Sequence, residues 1–212
     1  MPGLWKGVLA GGVERLGVNC HKQWRNGVTG TLFLVLVGCG GGTDPQEAFW
    51  ENLQQACGGA FAGRRTVARP VDEILVGTEQ LVAHFRECSA EKVKIPFHIE
   101  LEEAAGGGWD RSRTWVFSRH DDRLELRHDH RKPDGTEDEN NWYGGFTETP
   151  GTPFIQEFVY HGRQDPEGLR LGWRIEIHPG ERYVYGTIRG DEWTWRLEFD
   201  LSETVPEPPP PW

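Results

Sequence analysis

The chain has 212 residues, with 33 acidic and 23 basic side chains and a formal net charge of −10. Nucleic-acid binding needs a basic surface, so this charge argues against a nucleic-acid partner. Twenty-eight glycines and fourteen prolines indicate many turns and short elements, which favours a mainly β fold over a helical one. No stretch reaches the ~18 apolar residues that a membrane-spanning helix requires.

The first 38 residues have the layout of a secretory signal peptide. Lys22 and Arg25 precede a short apolar stretch, TLFLVLV, which is followed by small residues. The sequence LVGC at residues 36–39 resembles the lipobox of bacterial lipoproteins, in which the peptide is cut before the cysteine. The resemblance implies a lipidated Cys39, membrane anchoring in the cell envelope, and an outer-membrane position facing the periplasm. A buried N-terminal strand with an incidental cysteine is the alternative.

The start of this leader is unusual. The segment before the apolar stretch is long for a signal peptide, and Met1 is the only methionine in the chain. We therefore expect translation to begin further in, at a valine codon near Val13 or Val18. Residues 39–44, which include three consecutive glycines, then form a flexible tether.

Two cysteines remain beyond the leader and the lipidation site. Cys57 and Cys88 form an even pair in an oxidising compartment, which predicts a disulfide between them. It would close a loop of about 30 residues and contribute ~3 kcal/mol to stability on the chain-entropy estimate. A pair of metal-binding thiols is the alternative, although neither cysteine belongs to a CxxC motif.

An amphipathic helix is predicted at the start of the mature domain. Thr43 or Asp44 can cap it, and Pro45 lies in its first turn. Its apolar side chains recur at helical spacing as far as about Cys57, and they are Phe49, Trp50, Leu53 and Ala56.

After this helix the pattern changes to short alternating segments separated by Gly, Asp and Pro turns. Nine strands are predicted, at residues 60–67, 80–87, 92–101, 113–118, 123–130, 153–160, 169–178, 182–189 and 192–201. An antiparallel meander of about 8 to 10 strands closes as a barrel or folds as a sandwich. We favour a calycin-like barrel preceded by one helix, so that residues 45–212 form a single domain.

The last predicted strand supports a barrel wall with a core side and a wet side. Its polar residues alternate with four apolar residues that are expected to share the core face, namely Trp193, Trp195, Leu197 and Phe199. The proline-rich end of the chain cannot join a central strand, and Trp212 is expected to pack back onto the domain.

Two histidines mark the strand that begins near Arg123. His128 and His130 lie at positions i and i+2, so they share a face with Leu124 and Leu126, which we expect to be the inner face. Two imidazoles in this arrangement can bind one metal ion such as Zn²⁺. A third ligand would come from another strand, from Asp134, Glu137 or Asp138, or from one of the other histidines, His98, His120, His161 and His178. In a hydrolase, an acid such as Asp129 or Glu137 would be the catalytic base. The alternative is a polar hairpin end in which the histidines only form hydrogen bonds.

A second candidate site is the segment DRSRTW at residues 110–115. Arg111 and Arg113 alternate along the start of a strand and can grip an anionic ligand, or they can simply pair with acids. Trp115 and Tyr143 belong to an aromatic set that either lines a ligand pocket or fills a core. The other members are Phe117, Trp142, Trp173, Tyr183, Tyr185, Trp193 and Trp195.

Several motifs together resemble a family of uncharacterised bacterial secreted proteins and lipoproteins. They include DRSRTW, the sequence HDHR at residues 128–131 with DG at 134–135, YGG at 143–145, and FDL at 199–201 before the closing PPPPW. The resemblance covers about residues 49–212 and implies no activity. We therefore expect a lipid-anchored envelope protein without catalysis that binds a small ligand or an envelope partner. A metal-dependent hydrolase and a purely structural protein are the alternatives.

Overall fold

The computed structural model describes residues 43–70, 72, 74–103 and 106–212. The predicted signal peptide, the predicted lipidation site Cys39 and the predicted tether up to residue 42 lie outside these residues. Within the described ranges, no helix has both the length and the apolar character needed to cross a bilayer.

One helix and eleven strands make up the described domain. The helix α1 spans Pro45–Gln54. The strands are β1 (Ala60–Val67), β2 (Leu81–His84), β3 (Glu87–Cys88), β4 (Lys92–Glu100), β5 (Trp109–Arg119), β6 (Leu124–His130), β7 (Gly144–Thr147), β8 (Ile155–Val159), β9 (Leu171–His178), β10 (Arg182–Arg189) and β11 (Glu192–Asp200).

Ten of these strands form a closed antiparallel barrel. The order is β2-β1-β11-β10-β9-β8-β7-β6-β5-β4, and pairing between β2 and β4 closes the ring. The two-residue β3 pairs only with β4. The prediction of a mainly β barrel with one N-terminal helix is therefore confirmed.

The two ends of the barrel differ, because antiparallel neighbours place alternate connections at the same end. We call the end that carries α1 the closed end. The opposite end, which we call the open end, carries the β1–β2, β6–β7 and β8–β9 loops at residues 68–80, 131–143 and 160–170.

Helix α1 fills the closed end. The Asp44 side chain accepts a hydrogen bond from the Gln46 backbone N–H at 3.1 Å, which caps the helix as its sequence predicts. Phe49, Trp50 and Leu53 are 0%, 2% and 0% exposed, because they insert into the barrel core. The helix ends at Gln54, three residues before the predicted end, and turns continue the chain to β1.

A disulfide joins Cys57, just after the helix, to Cys88 in β3. The predicted pairing is therefore confirmed. Because Cys57 lies three residues after the end of α1 and β3 pairs with β4, the bridge ties the segment that follows the helix to the barrel wall.

The structure contains a barrel strand that the sequence did not predict. Strand β7 begins with Gly144 and Gly145, and a Cβ atom on either would collide with the backbone of the neighbouring strand β6 or β8. Glycine is needed for this close approach, but it is weak in strand propensity. Strand β7 therefore lacks the alternating apolar pattern from which the other strands are predicted.

The expectation that Trp193 lies on the core face was wrong. The register between β10 and β11 shifts after the pair Thr187 and Trp195, so that Ile188 faces Trp193 and one residue is left over. This bulge turns Trp193 to the outside, where its ring lies between the guanidinium groups of Arg174 and Arg196. Trp195, Leu197 and Phe199 remain on the core side, as predicted.

Candidate ligand-binding site

A cavity of about 1150 Å³ occupies the open half of the barrel. Its walls come from the open-end halves of the strands, and its rim comes from the β1–β2, β6–β7 and β8–β9 loops, which are three of the connections at the open end. This volume is large enough for a drug-sized ligand. The filled-core alternative therefore holds for the closed half of the barrel, whereas the open half is hollow.

Aromatic rings form the floor of the cavity. The ring of Trp115 is stacked between Tyr185, at a centroid distance of 4.0 Å, and Phe97, at 4.9 Å. Trp173 and Trp195 add two more buried indoles to the lining, with 6% and 4% of their surface exposed. These rings are packed against one another, so the floor is a rigid apolar surface rather than a set of mobile side chains.

His128 lies in this floor and is held as a neutral imidazole. Its Nδ1 lies 3.0 Å from the backbone oxygen of Tyr143, and its Nε2 lies 2.5 Å from the Tyr185 hydroxyl. A carbonyl oxygen only accepts, so Nδ1 carries the proton and the Tyr185 hydroxyl donates to Nε2. Burial lowers the pKa of His128 to about 3. The inner-face placement expected for this residue is confirmed.

His130 and Arg113 form a polar layer above the floor. The two residues lie directly opposite each other on β5 and β6, one register step of two residues nearer the open end than Trp115 and His128. The Tyr143 hydroxyl lies 3.2 Å from His130 Nε2. Arg113 donates from Nη1 to Asp110 at 2.6 Å and to Ser112 at 2.9 Å.

Arginines dominate the charges of the described cavity lining. It contains four arginines, Arg69, Arg113, Arg163 and Arg189, against two carboxylates, Asp138 and Asp165. Arg189 is engaged by Asp165 at 2.8 and 3.0 Å. The cavity thus reverses the charge balance of a chain that is acidic as a whole.

Asp72, which the sequence analysis missed, fixes one wall of the cavity. Its Oδ2 accepts hydrogen bonds from Trp195 Nε1 at 2.7 Å and from Arg65 at 2.8 Å. Its Oδ1 accepts from the backbone N–H groups of Ile74 and Leu75. Burial raises the pKa of Asp72, but these hydrogen bonds outweigh it and hold the pKa below its ordinary value. Asp72 therefore ties the β1–β2 loop to a lining indole.

The structure brings together most of the predicted site residues. Five of them line the cavity, namely Arg113, Trp115, His128, His130 and Tyr143. Arg111 does not join them, because it donates to the Pro210 carbonyl oxygen at 2.9 Å and its guanidinium lies 5.6 Å above the Trp212 ring. The predicted two-arginine clamp therefore does not form, and Trp212 packs back onto the domain as expected.

The aromatic set divides between the cavity and other places. Trp173, Tyr185 and Trp195 join Trp115 and Tyr143 in the lining. The rings of Phe117 and Tyr183 lie in the closed core, and Trp142 is 44% exposed. Five of the nine aromatic residues of the set therefore line the pocket.

The two histidines do not assemble a metal centre with other side chains. In the part of the chain that the structure describes, no group of three or more His, Cys, Asp or Glu residues is placed to bind a metal ion. Both nitrogens of His128 already have protein partners. This donor geometry does not favour the metal-dependent hydrolase, which needs at least three protein ligands and an open position.

No protein-family model, curated protein or solved structure matches this chain.

Proposed function

We propose that this protein is a lipid-anchored binding protein of the bacterial cell envelope that holds a small, ring-bearing ligand in its barrel. The observation that carries the proposal is the cavity of about 1150 Å³ with an aromatic floor and a polar rim. Ligand pockets are typically concave, mainly apolar and provided with a few polar groups that fix orientation.

The arrangement of the floor also supports binding. The rings of Trp115, Tyr185 and Phe97 are stacked and buried before any ligand arrives. A preorganised surface loses little conformational entropy on binding, so more of the contact energy appears as affinity. An open cavity beside these rings does not stabilise the barrel, so the arrangement favours a binding role over a purely structural one.

The binding proposal is tested with the neutral dye N-phenylnaphthylamine, whose fluorescence rises in an apolar site. The protein is the full chain with Cys39→Ser, so that no acyl chain can compete for the lumen. We expect saturable binding that is lost in Thr187→Trp. Thr187 lines the cavity two residues after Tyr185 on β10, so an indole at this position would occupy the space above the aromatic floor. The matched control is Thr204→Trp, which places the same ring on an exposed residue of the C-terminal segment.

Equal binding by the parent, Thr187→Trp and Thr204→Trp would contradict a site in the lumen. Exciting the dye directly avoids any contribution from energy transfer out of the added tryptophan. The folded state of each variant is checked by its cooperative thermal unfolding.

The envelope location is a proposal that depends on the lipobox-like LVGC at residues 36–39 and on the resemblance to secreted lipoproteins. Partners are then the membrane, through the acyl chains, and a small ligand or envelope protein. Multiple acyl chains anchor a protein stably, at about 0.8 kcal/mol per buried methylene. We expect incorporation of labelled palmitate that Cys39→Ser abolishes, and labelling that persists in this variant would contradict the anchor.

A further inference from the structure

We propose that the ligand is an organic anion, and that its acidic group is held by Arg113 and His130 while its ring-bearing body lies on the aromatic floor. This inference rests on the proposed binding function and adds the chemical class of the ligand. It also assigns the polar layer of the cavity a role as an anion site.

The register of β5 and β6 places the proposed anion site next to the aromatic floor. Arg113 pairs with His130, and Trp115 pairs with His128, so the two pairs form adjacent layers of the same wall. Residues two apart on a strand are separated by about 6.6 Å. A ligand of one or two fused rings with an acidic substituent spans this distance. Its rings then contact Trp115 while its acidic group reaches Arg113.

Arg113 has donors to spare for such a group. Among the described residues, its hydrogen bonds to Asp110 and Ser112 both use Nη1. A guanidinium carries five N–H donors in a planar fork, which leaves Nε and Nη2 for a second, bidentate acceptor. Asp110 also fixes the orientation of the side chain, because it is itself held by the Ser112 backbone N–H at 2.9 Å.

The charge of the lining favours an anion over a cation. An aromatic cavity without nearby positive charge suits a quaternary ammonium ligand through cation–π contacts. Among the described residues, four arginines and two carboxylates line the cavity, so a cation would be repelled at the rim and in the polar layer. An anion is attracted to this cluster of positive charge.

His130 couples anion binding to protons. Burial and the Arg113 charge lower its pKa, against the opposing carboxylates of Asp138, Asp110 and Asp129. Tyr143 and His128 are its other titratable neighbours, and His128 stays neutral near pH 6 because its own pKa is about 3. A bound anion raises the pKa of His130, so binding takes up a proton and tightens as the pH falls toward the lowered pKa that this residue has in the free protein.

The test compares two dyes with the same ring skeleton. Anilinonaphthalene sulfonate carries an ionised sulfonate, whereas N-phenylnaphthylamine is neutral. Both are titrated into the full chain with Cys39→Ser and into Arg113→Gln and Arg113→Lys. We expect Arg113→Gln to weaken the sulfonate about 10-fold and to leave the neutral dye within about 2-fold, since a charged hydrogen bond is lost. Arg113→Lys should recover part of the loss.

Two further variants guard against a simple folding effect. Asp110→Asn frees Arg113 from its counter-ion and should tighten sulfonate binding by about 3-fold to 10-fold, which a disrupted pocket would not do. The matched control is Arg123→Gln, because Arg123 lies at the closed end against Phe146. Arg123→Gln should change the affinity of neither dye.

A separate variant, His130→Gln, tests the coupling of binding to protons. The pH dependence of sulfonate binding should be lost in this variant, and binding of the neutral dye should not depend on pH.

The outcomes separate this inference from the proposed function. Equal weakening of both dyes by Arg113→Gln, or unchanged sulfonate binding in both Arg113→Gln and Asp110→Asn, overturns the anion site but leaves the binding barrel in place. Failure of the neutral dye to bind the parent protein overturns the proposed function, and the inference falls with it.

Discussion

The two ends of this barrel are built from the same strands but hold different side chains. At the closed end, Phe49, Trp50 and Leu53 of α1 are 0–2% exposed and pack into an apolar core. At the open end, the same strands surround a cavity of about 1150 Å³ with arginines at its rim. Stability is therefore concentrated at one end and the capacity to bind at the other.

The difference arises along individual strands. The inward residues of β6 change from Leu124 and Leu126 to His128 and His130 toward the open end. On β5 the order toward the same end is Phe117, Trp115 and Arg113. Along these two strands the inward residues thus pass from aliphatic or phenyl groups to polar aromatics, and β5 ends in the charged guanidinium of Arg113. A polarity gradient of this kind marks the mouth of a pocket, because buried charge is costly unless solvent or a ligand can reach it.

The largest effect is expected at the closed end, from Trp50→Ala. The change removes a buried indole from the inner face of helix α1 and should lower the free energy of unfolding by about 3–5 kcal/mol. Urea denaturation measures this loss, and Glu51→Ala, on the exposed side of the helix, should stay within about 0.5 kcal/mol of the parent. Dye affinity of the folded fraction should not change. A large fall in that affinity would show that the two ends are not separable.

The next effect comes from the disulfide. Replacing Cys57 and Cys88 by alanine opens a loop of 31 residues and should cost about 3–4 kcal/mol by chain entropy. Thermal unfolding with and without a reductant measures it. The reductant should lower the Tm of the parent and leave the double variant unchanged, and an equal response of both proteins would contradict this contribution.

A pH-dependent effect is expected at the open end, from His128. Its pKa in the folded protein is about 3, below the ordinary value, so the unfolded chain binds a proton more readily than the folded one. Stability is therefore retained above about pH 6.5 and lost as the pH falls toward 3, by at most about 1.4 kcal/mol per pH unit.

Urea denaturation across this pH range tests the role of His128. Other histidines contribute to the slope, since burial also lowers the pKa of His84 and His98. His128→Gln should be less stable at pH 7 but should lose less stability on acidification. An identical slope in parent and variant would contradict the neutral, hydrogen-bonded state assigned to this side chain.

The smallest effect is expected from Trp212→Ala. The indole lies against Arg111 outside the cavity, and a cation–π contact at such a site contributes about 0.5–1 kcal/mol. Urea denaturation should show this loss, while binding of the anionic dye should be unchanged. A clear loss of dye affinity would instead place Arg111 in the ligand site.

The barrel could be predicted because its strands alternate clearly and its turns are rich in glycine and proline. The exception was β7, whose Gly144 and Gly145 carry no side chains to alternate. In an antiparallel meander each strand reverses the direction of the chain, so one missing strand assigns the loop at residues 160–170 to the wrong end. A barrel built without β7 would therefore place Arg163 and Asp165 away from the cavity that they line in the structure.

The site was predicted in part for a similar reason. Alternation along one strand correctly placed His128 and His130 inside, since a period of two needs no knowledge of the other strands. Contacts between distant segments, such as Asp72 with Trp195 across the open end, depend on barrel closure and register. The bulge that turns Trp193 outward likewise leaves no signal in an apolar alternation.

The most direct test of the account is an NMR titration of the tryptophan indole N–H signals with N-phenylnaphthylamine, assigned by single Trp→Phe variants. The account predicts that the signals of Trp115, Trp173 and Trp195, which line the cavity, shift with a common affinity. The signals of Trp50, beneath the helix at the closed end, and Trp193, on the outer face, should stay in place. Shifts confined to Trp50 or Trp193, or no shift of the three cavity indoles at saturation, would contradict a binding site in the open half of the barrel.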